Sequence, residues 1–383
     1  MVGWGNLVSR RFTAVDIFSG AGGLSVGARM AGISPVMAVE FDQYAAATYR
    51  RNHSEIAENV LQKDIRLVDP LDHTDKYPFI LFGGPPCQGF STANTKTRNL
   101  DNPNNWMFKE YLRFVQELEP EWFLFENVAG FKSFNGGTFA KEVEEALQNP
   151  FGDPNKLAYV TSSTLLDAAD FGVPQRRKRF FIVGHKKQSG GIKFDFSSLK
   201  KRPLTTVGEA LADLPKLDNG QMLDECAYRS KPDSAYAKFM RGKLHKAKQN
   251  YVTASKPHII ERYKVIPQGS NWEAAKEKGL LDSYTSTKHT HSGIYKRLLE
   301  NEPAVTIANY RKSMLIHPWE HRGLSLREAA RLQSFPDHFI FEGPHSYQQQ
   351  QVGNAVPPLL AKTIFEQIKK YTEANKECGQ LLK

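Results

Sequence analysis

Short apolar runs recur along the first half of the chain, and each stops at a glycine, a proline or a carboxylate. Residues 13–18 (TAVDIF), 34–40 (SPVMAVE), a run ending at 63–65, 79–82, 122–126 (WFLFE), 158–166 and 179–184 read as buried strands. Stretches of helical period separate several of them: a glycine-rich turn leading to a helix that stops near Gly32, then 42–52, 104–118 and 138–148. Strand and helix alternating in this way predict an α/β fold. From about 189 to 301 the periodicity weakens and Lys, Ser, Tyr, His and Gly rise, which marks a second domain or insertion. Regular structure returns with a capping box, Ser325 and Glu328, for a helix to Gln333, then a tight loop at 351–358 and a helix over 358–373. The boundaries drawn are 1–188, 189–322 and 323–383, the last returning to the first domain.

Composition narrows the class. The chain of 383 residues, 40% hydrophobic and 24% charged, is long enough for one large and one smaller domain. Its net charge of +10 favours a polyanionic partner, and the excess is local: 176–264 holds about 21 Lys or Arg against about 8 Asp or Glu. No apolar run reaches the length of a membrane span and the N-terminus lacks an apolar signal core, so a cytoplasmic, nucleoid-associated protein with no membrane partner is expected. The three cysteines, Cys87, Cys226 and Cys378, have no paired spacing, and no ligand cluster accompanies His289 and His291; neither a disulfide framework nor a metal site is expected.

The candidate chemistry sits where the runs end. Gly83-Gly84-Pro85-Pro86 stiffens the end of one strand and delivers Cys87 onto a loop, the place where α/β proteins keep reactive groups, although a lone cysteine is most often a small buried hydrophobe. Phe18-x-Gly20-x-Gly22-Gly23 lets backbone approach a ligand, and Glu40, at the next strand end, has the type and spacing to accept both hydroxyls of a ribose. Together they suggest an adenosine-containing cofactor with Phe18 as an aromatic face; a solvated helix-start carboxylate is the alternative for Glu40. Asp64 suits an adenine amine or a cap. Glu126, directly after four apolar residues, is expected to have a raised pKa and to act as proton donor or clamp, unless it is a strand-end cap. Arg177 and Arg179, two apart at a strand's start, are expected to share a face and clamp a phosphate or a base carbonyl. Residues 91–103 are polar and turn-rich, like a lid.

Six blocks carry a resemblance: DIFSGAGGLSVG, VEFDQYA with KDIR, GGPPCQGFS, FENV, PQRRKRFFIVG, and the pair REAARLQSFP and VGNAVPP. In this order they resemble the DNA (cytosine-5)-methyltransferase family of bacterial restriction-modification type. The resemblance implies a doubly wound, Rossmann-like sheet with S-adenosylmethionine at its carboxyl edge, leaving as S-adenosylhomocysteine, and a variable target-recognition domain inserted after the basic block. It implies Cys87 as nucleophile, Glu126 on the cytosine ring, and Arg177 with Arg179 orienting the base. Phe18, Glu40, Asp64, Ile65, Pro86, Asn354 and Ala355 match cofactor-contacting positions, joined by Gly20, Gly22 and Gly23 of the turn. Gln88 and Ser91 fall in the loop expected to close over a flipped base in duplex DNA. A cognate restriction endonuclease is the implied companion, and a monomer the expected state. The alternatives are a tRNA cytosine-5 methyltransferase on the same scaffold, a non-catalytic DNA-binding regulator, and a nicotinamide oxidoreductase, whose glycine spacing is absent.

Overall fold

A computed structural model describes residues 12–86, 106–153, 155–281, 292–308, 310 and 314–381. The chain forms two compact units. The first comprises 1–167, 178–200 and 358–383, the second 168–177 and 201–357. Composition shifts where basic residues begin; compactness changes where packing changes, so the boundaries read from the sequence fall elsewhere.

The first unit holds β1 (Thr13–Ile17), α1 (Gly23–Met30), β2 (Ser34–Glu40), α2 (Gln43–Asn52), β3 (Val60–Gln62), β4 (Ile80–Gly83), α3 (Trp106–Leu118), β5 (Trp122–Val128), α4 (Ala129–Ser133), α5 (Thr138–Gln148), β6 (Tyr159–Asp167) and β7 (Lys178–Lys186). The strands form one sheet in the order β3-β2-β1-β4-β5-β7-β6. Neighbours run parallel except for β7, which is antiparallel to both β5 and β6. The expected α/β sheet is therefore present, and its winding reverses between β1 and β4, where open α/β sheets bind ligands. Asp42 caps α2, accepting from the backbone of Tyr44 and Ala45, which ends β2 cleanly at Glu40.

Near-continuous apolar runs become strands here because both faces are covered. Phe125 meets Tyr111 at 5.2 Å and Phe131 at 5.6 Å, and Phe131 stacks on Phe180. Each such buried ring contributes on the order of 1.5–3 kcal/mol. Gly83 permits the close approach of β4 to β1, since a Cβ there would lie 2.1 Å from the Ile17 carbonyl oxygen.

The second unit contains α6 (Val207–Leu211), β8 (Met222–Ala227), α7 (Ala235–Arg241), β9 (Lys246–Tyr251), α8 (Pro257–Val265), α9 (Trp272–Glu277), α10 (Leu326–Leu332) and α11 (His345–Asn354). Helix α12 (Pro358–Leu381) returns to the first unit, where Gly27 of α1 packs against Ala361 so tightly that a Cβ would lie 2.5 Å away. The capping box of α10 is present in both directions, Ser325 and Glu328 each bonding the other's backbone. One expectation changes: residues 351–354 are not loop but the last turn of α11. Three of its four glutamines are buried without an apolar stripe, so no helical period was visible. Among the described residues no helix is long and apolar enough to cross a membrane.

Candidate active site

The ends of the parallel strands β1 to β5 and the antiparallel start of β7 lie at the carboxyl edge of the first unit. At β1 the chain turns sharply: Phe18 has φ 55°, left-handed and rare for an aromatic residue, and Gly20 and Gly22 follow with φ 54° and 90°. Non-glycine residues in this region mark strain held by surrounding structure. Gly20 N–H donates to Glu40 Oε2 at 2.7 Å and Asp42 N–H to Glu40 Oε1 at 2.8 Å. Burial raises the Glu40 pKa, and these two donors oppose it. Gly20 faces open space, with nothing within 4 Å of where a Cβ would stand, and Gly23 opens α1.

Phe41, the residue after Glu40, is 76% exposed. Sequence reasoning missed it; the available signal was an aromatic residue stranded between a strand end and a helix cap. Asp64 caps the short turn over Ile65–Leu67 and pairs with Arg66, whose Nε lies 3.0 Å from Oδ1. The pair and the cap lower the Asp64 pKa, with the Arg66 side chain as the largest cause. Ile65 is buried beside it.

On the other side of the switch, Glu126 ends four buried residues of β5 and is itself 8% exposed. Its Oε1 lies 2.9 Å from Arg179 Nε. Burial lowers the Arg179 pKa while Glu126 pulls it back up, and a guanidinium stays charged throughout. The chain after β4 passes directly against this carboxyl group: a Cβ on Gly84 would lie 2.5 Å from Glu126 Oε2. Asn127 Nδ2 then donates to the Pro85 carbonyl at 3.2 Å, tying down the segment that ends at the exposed Pro86. Asn127 is a second residue that sequence reasoning passed over, although a polar side chain inside an apolar strand was the cue. Cys87, Gln88 and Ser91 lie outside the described residues.

Arg177 has partners of its own. It belongs to the second unit, 1% exposed, with Nη1 donating to Ile307 O at 2.8 Å and Nη2 to Gly353 O at 2.6 Å. Asn354 and Ala355 follow Gly353 in that unit, as the exposed last residue of α11 and its half-buried cap. The structure thus brings together Phe18, Gly20, Gly22, Gly23 and Glu40 as one cluster and Gly84, Glu126 and Arg179 as another. Among the described residues no group of His, Cys, Asp or Glu is placed to hold a metal.

A family model described as C-5 cytosine-specific DNA methylase matches residues 12–370. The chain belongs to this family. It is a C-5 cytosine-specific DNA methyltransferase. It is 32% identical over 378 residues to the type II methyltransferase M.DdeI of Desulfomicrobium norvegicum, covering 94% of this chain and 89% of the relative. It is 34% identical over 363 residues to the type II methyltransferase M1.HphI of Haemophilus parahaemolyticus, covering 94% and 87%. Among solved structures, a prophage-encoded DNA modification methyltransferase (E. coli) superposes with a TM-score of 0.74 at 26% identity, covering 94% of this methyltransferase and 99% of that chain.

Proposed function

We propose that this methyltransferase flips a target cytosine out of duplex DNA and methylates its carbon 5 within a short specific sequence, as the modification arm of a restriction-modification system. The observation that carries the reading is the Glu126–Arg179 pair set against Gly84, three residues before Cys87. A buried carboxyl group locked by a guanidinium suits the ring nitrogen and amine of cytosine, and Arg179 suits the ring carbonyl. In this reading Arg177 acts at a distance, holding the segment before Asn354 through the Gly353 carbonyl.

Carbon 5 of cytosine is a weak nucleophile. The Cys87 thiolate adds to carbon 6, the 5,6 double-bond pair shifts to carbon 5, and Glu126 holds or protonates nitrogen 3 as charge develops there. S-adenosylmethionine supplies the electrophilic methyl group and departs as S-adenosylhomocysteine. A base then removes the carbon 5 proton, the electron pair restores the double bond, and the thiolate leaves with 5-methylcytosine complete.

The edge chemistry fits that cofactor. Glu40, its carboxylate oriented by the backbone of Gly20 and Asp42, suits the ribose hydroxyls; Phe18, Phe41 and Ile65 are apolar and aromatic partners for adenine; Gly20 leaves open space for the amino-acid end. Asp64 must release Arg66 before it meets the adenine amine. Pro86, Asn354 and Ala355 complete the proposed set, and Gln88 and Ser91 belong to the loop closing over the base. The basic part of the second unit reads the target, Lys and Arg on phosphates, with a monomer acting alone on DNA and a cognate endonuclease cutting unmodified sites.

Transfer of labelled methyl groups to duplex DNA, followed by bisulfite sequencing, tests this. Methylation at one recurrent sequence is expected, with a trapped adduct on 5-fluorocytosine DNA; transfer to RNA alone selects the tRNA alternative, and DNA binding without transfer selects the regulator.

A further inference from the structure

Beneath the glycine turn lies a group of polar side chains that the chemistry above does not use. Asp16 of β1, Ser25 of α1 and Tyr49 of α2 are each 0% exposed. Ser25 Oγ donates to Asp16 Oδ2 at 2.6 Å and lies 2.6 Å from the Tyr49 hydroxyl. These bonds have a particular placement. Asp16 is the last but one residue before the turn and Ser25 sits in the first turn of the helix after it, so their bond closes the turn from below. Tyr49 extends the tie to α2, whose cap, Asp42, lies two residues after Glu40. The Tyr49 ring and His53 also press on the turn: a Cβ at Gly22 would lie 2.9 Å from Tyr49 Cδ2 and 3.0 Å from His53 Nε2. Two more buried polar atoms at the turn, Asp16 Oδ1 and Ser19 Oγ, have no hydrogen-bond partner.

We propose that Asp16 is a positioning residue for the cofactor: through Ser25 and Tyr49 it straps together the glycine turn and the Glu40 segment. This rests on the assignment of S-adenosylmethionine to that edge. The strap works with a neutral carboxyl group. Burial, with Glu40 adding to it, pushes the Asp16 pKa up to about 8 against the hydrogen bonds from Ser25 and Tyr49. Among the described residues no cation acts on it. Burial raises the Glu40 pKa as well, Tyr49 is held well above its ordinary pKa by burial, and His53 is pushed down to about 3 by burial and Arg29. Arg29 itself is engaged by Glu55 at 2.7 Å. Ionised Asp16 would face Glu40 unscreened, and the turn must move to relieve it.

Binding of S-adenosylhomocysteine to the full chain, measured by calorimetry from about pH 6.5 to about pH 9.5, tests the strap. Wild-type affinity should stay level to about pH 8 and then fall by up to about tenfold per pH unit. Asp16→Asn should bind within about threefold of wild type at neutral pH and lack that fall. An ordinary thiol also titrates near about 8.5, but Cys87 is present in both proteins, so the difference between the profiles isolates Asp16. Tyr49→Phe keeps the ring on Gly22 and removes only the hydroxyl; it should weaken binding about tenfold with the unliganded thermal midpoint little changed. Binding that is level to the top of the range in wild type, or that falls equally in Asp16→Asn, overturns the strap alone. Failure of the folded wild type to bind at any pH overturns the cofactor assignment and the strap with it.

Discussion

In the second unit Glu328 and Asp337 are 2% and 0% exposed, yet both remain ionised. Burial opposes ionisation of Glu328, but Arg322, which reaches it at 2.7 Å and 2.9 Å, and His317 draw its pKa down to about 2. Asp337 is lowered in the same way by Arg331, whose guanidinium bonds it through two nitrogens and also holds Asp213 at 2.6 Å. In the first unit Asp16 is equally buried and goes the other way, up to about 8, because burial raises it and only the hydroxyls of Ser25 and Tyr49 oppose that. Burial is the same in both places; only the partners differ. Where a guanidinium meets the buried carboxylate its pKa falls, and where none does burial raises it.

The largest effect should come from unmatching a matched charge. Asp337→Asn leaves Arg331 buried with half its anion and should cost about 3–5 kcal/mol, whereas Asp16→Asn removes no charge at neutral pH and should cost less than about 1 kcal/mol. Urea unfolding of the two variants decides it, and equal costs would erase the distinction drawn here.

The activity counterpart is Glu126→Gln, which keeps shape but loses the anion paired with Arg179. Methyl transfer should slow by about 10²–10⁴-fold, with duplex binding retained. A rate within about threefold of wild type would remove Glu126 from the chemistry.

Acidity and alkalinity should then separate the units. Glu328 has a folded pKa near 2, below its unfolded value, so its contribution is full above about 4.5 and is lost as pH falls toward 2. Asp16 has the opposite sign: the stability from its protonated form is full below about 4 and is lost as pH rises to about 8. Hydrogen exchange followed by mass spectrometry should show 322–337 opening first in acid and the strands around Asp16 loosening first in alkali.

The smallest effects lie within the turn. Gly22→Ala adds a Cβ against Tyr49 at φ 90° and should cost about 2 kcal/mol or more, while Gly20→Ala, left-handed but facing open space, should cost about 1 kcal/mol. Thermal melts of both variants give the order.

Much of the fold was legible because strands with both faces covered write their positions as apolar runs. Ser34–Glu40 and Thr138–Gln148 fall where the pattern places them, and the Ser325–Glu328 box closes as spelled. The last helix runs further than the pattern suggested, to Leu381, and α11 was invisible because Gln348 and Gln351, buried and donating to the carbonyls of Phe341 and Glu342, leave no apolar stripe. At the site, Glu40 and Glu126 stood out as carboxylates at the ends of apolar runs. Arg177 and Arg179 look alike on paper. Their separation, one on carbonyls of Ile307 and Gly353 and the other on Glu126, depends on residues more than a hundred positions apart in one case and about fifty in the other.

By itself the sequence determined the alternation of strand and helix, the glycines of the turn and the family, since these are local or colinear. Only the tertiary structure decided which buried charges are matched. Whether a carboxylate meets a guanidinium or a hydroxyl is set by which distant elements pack against it, and neither composition nor spacing records that.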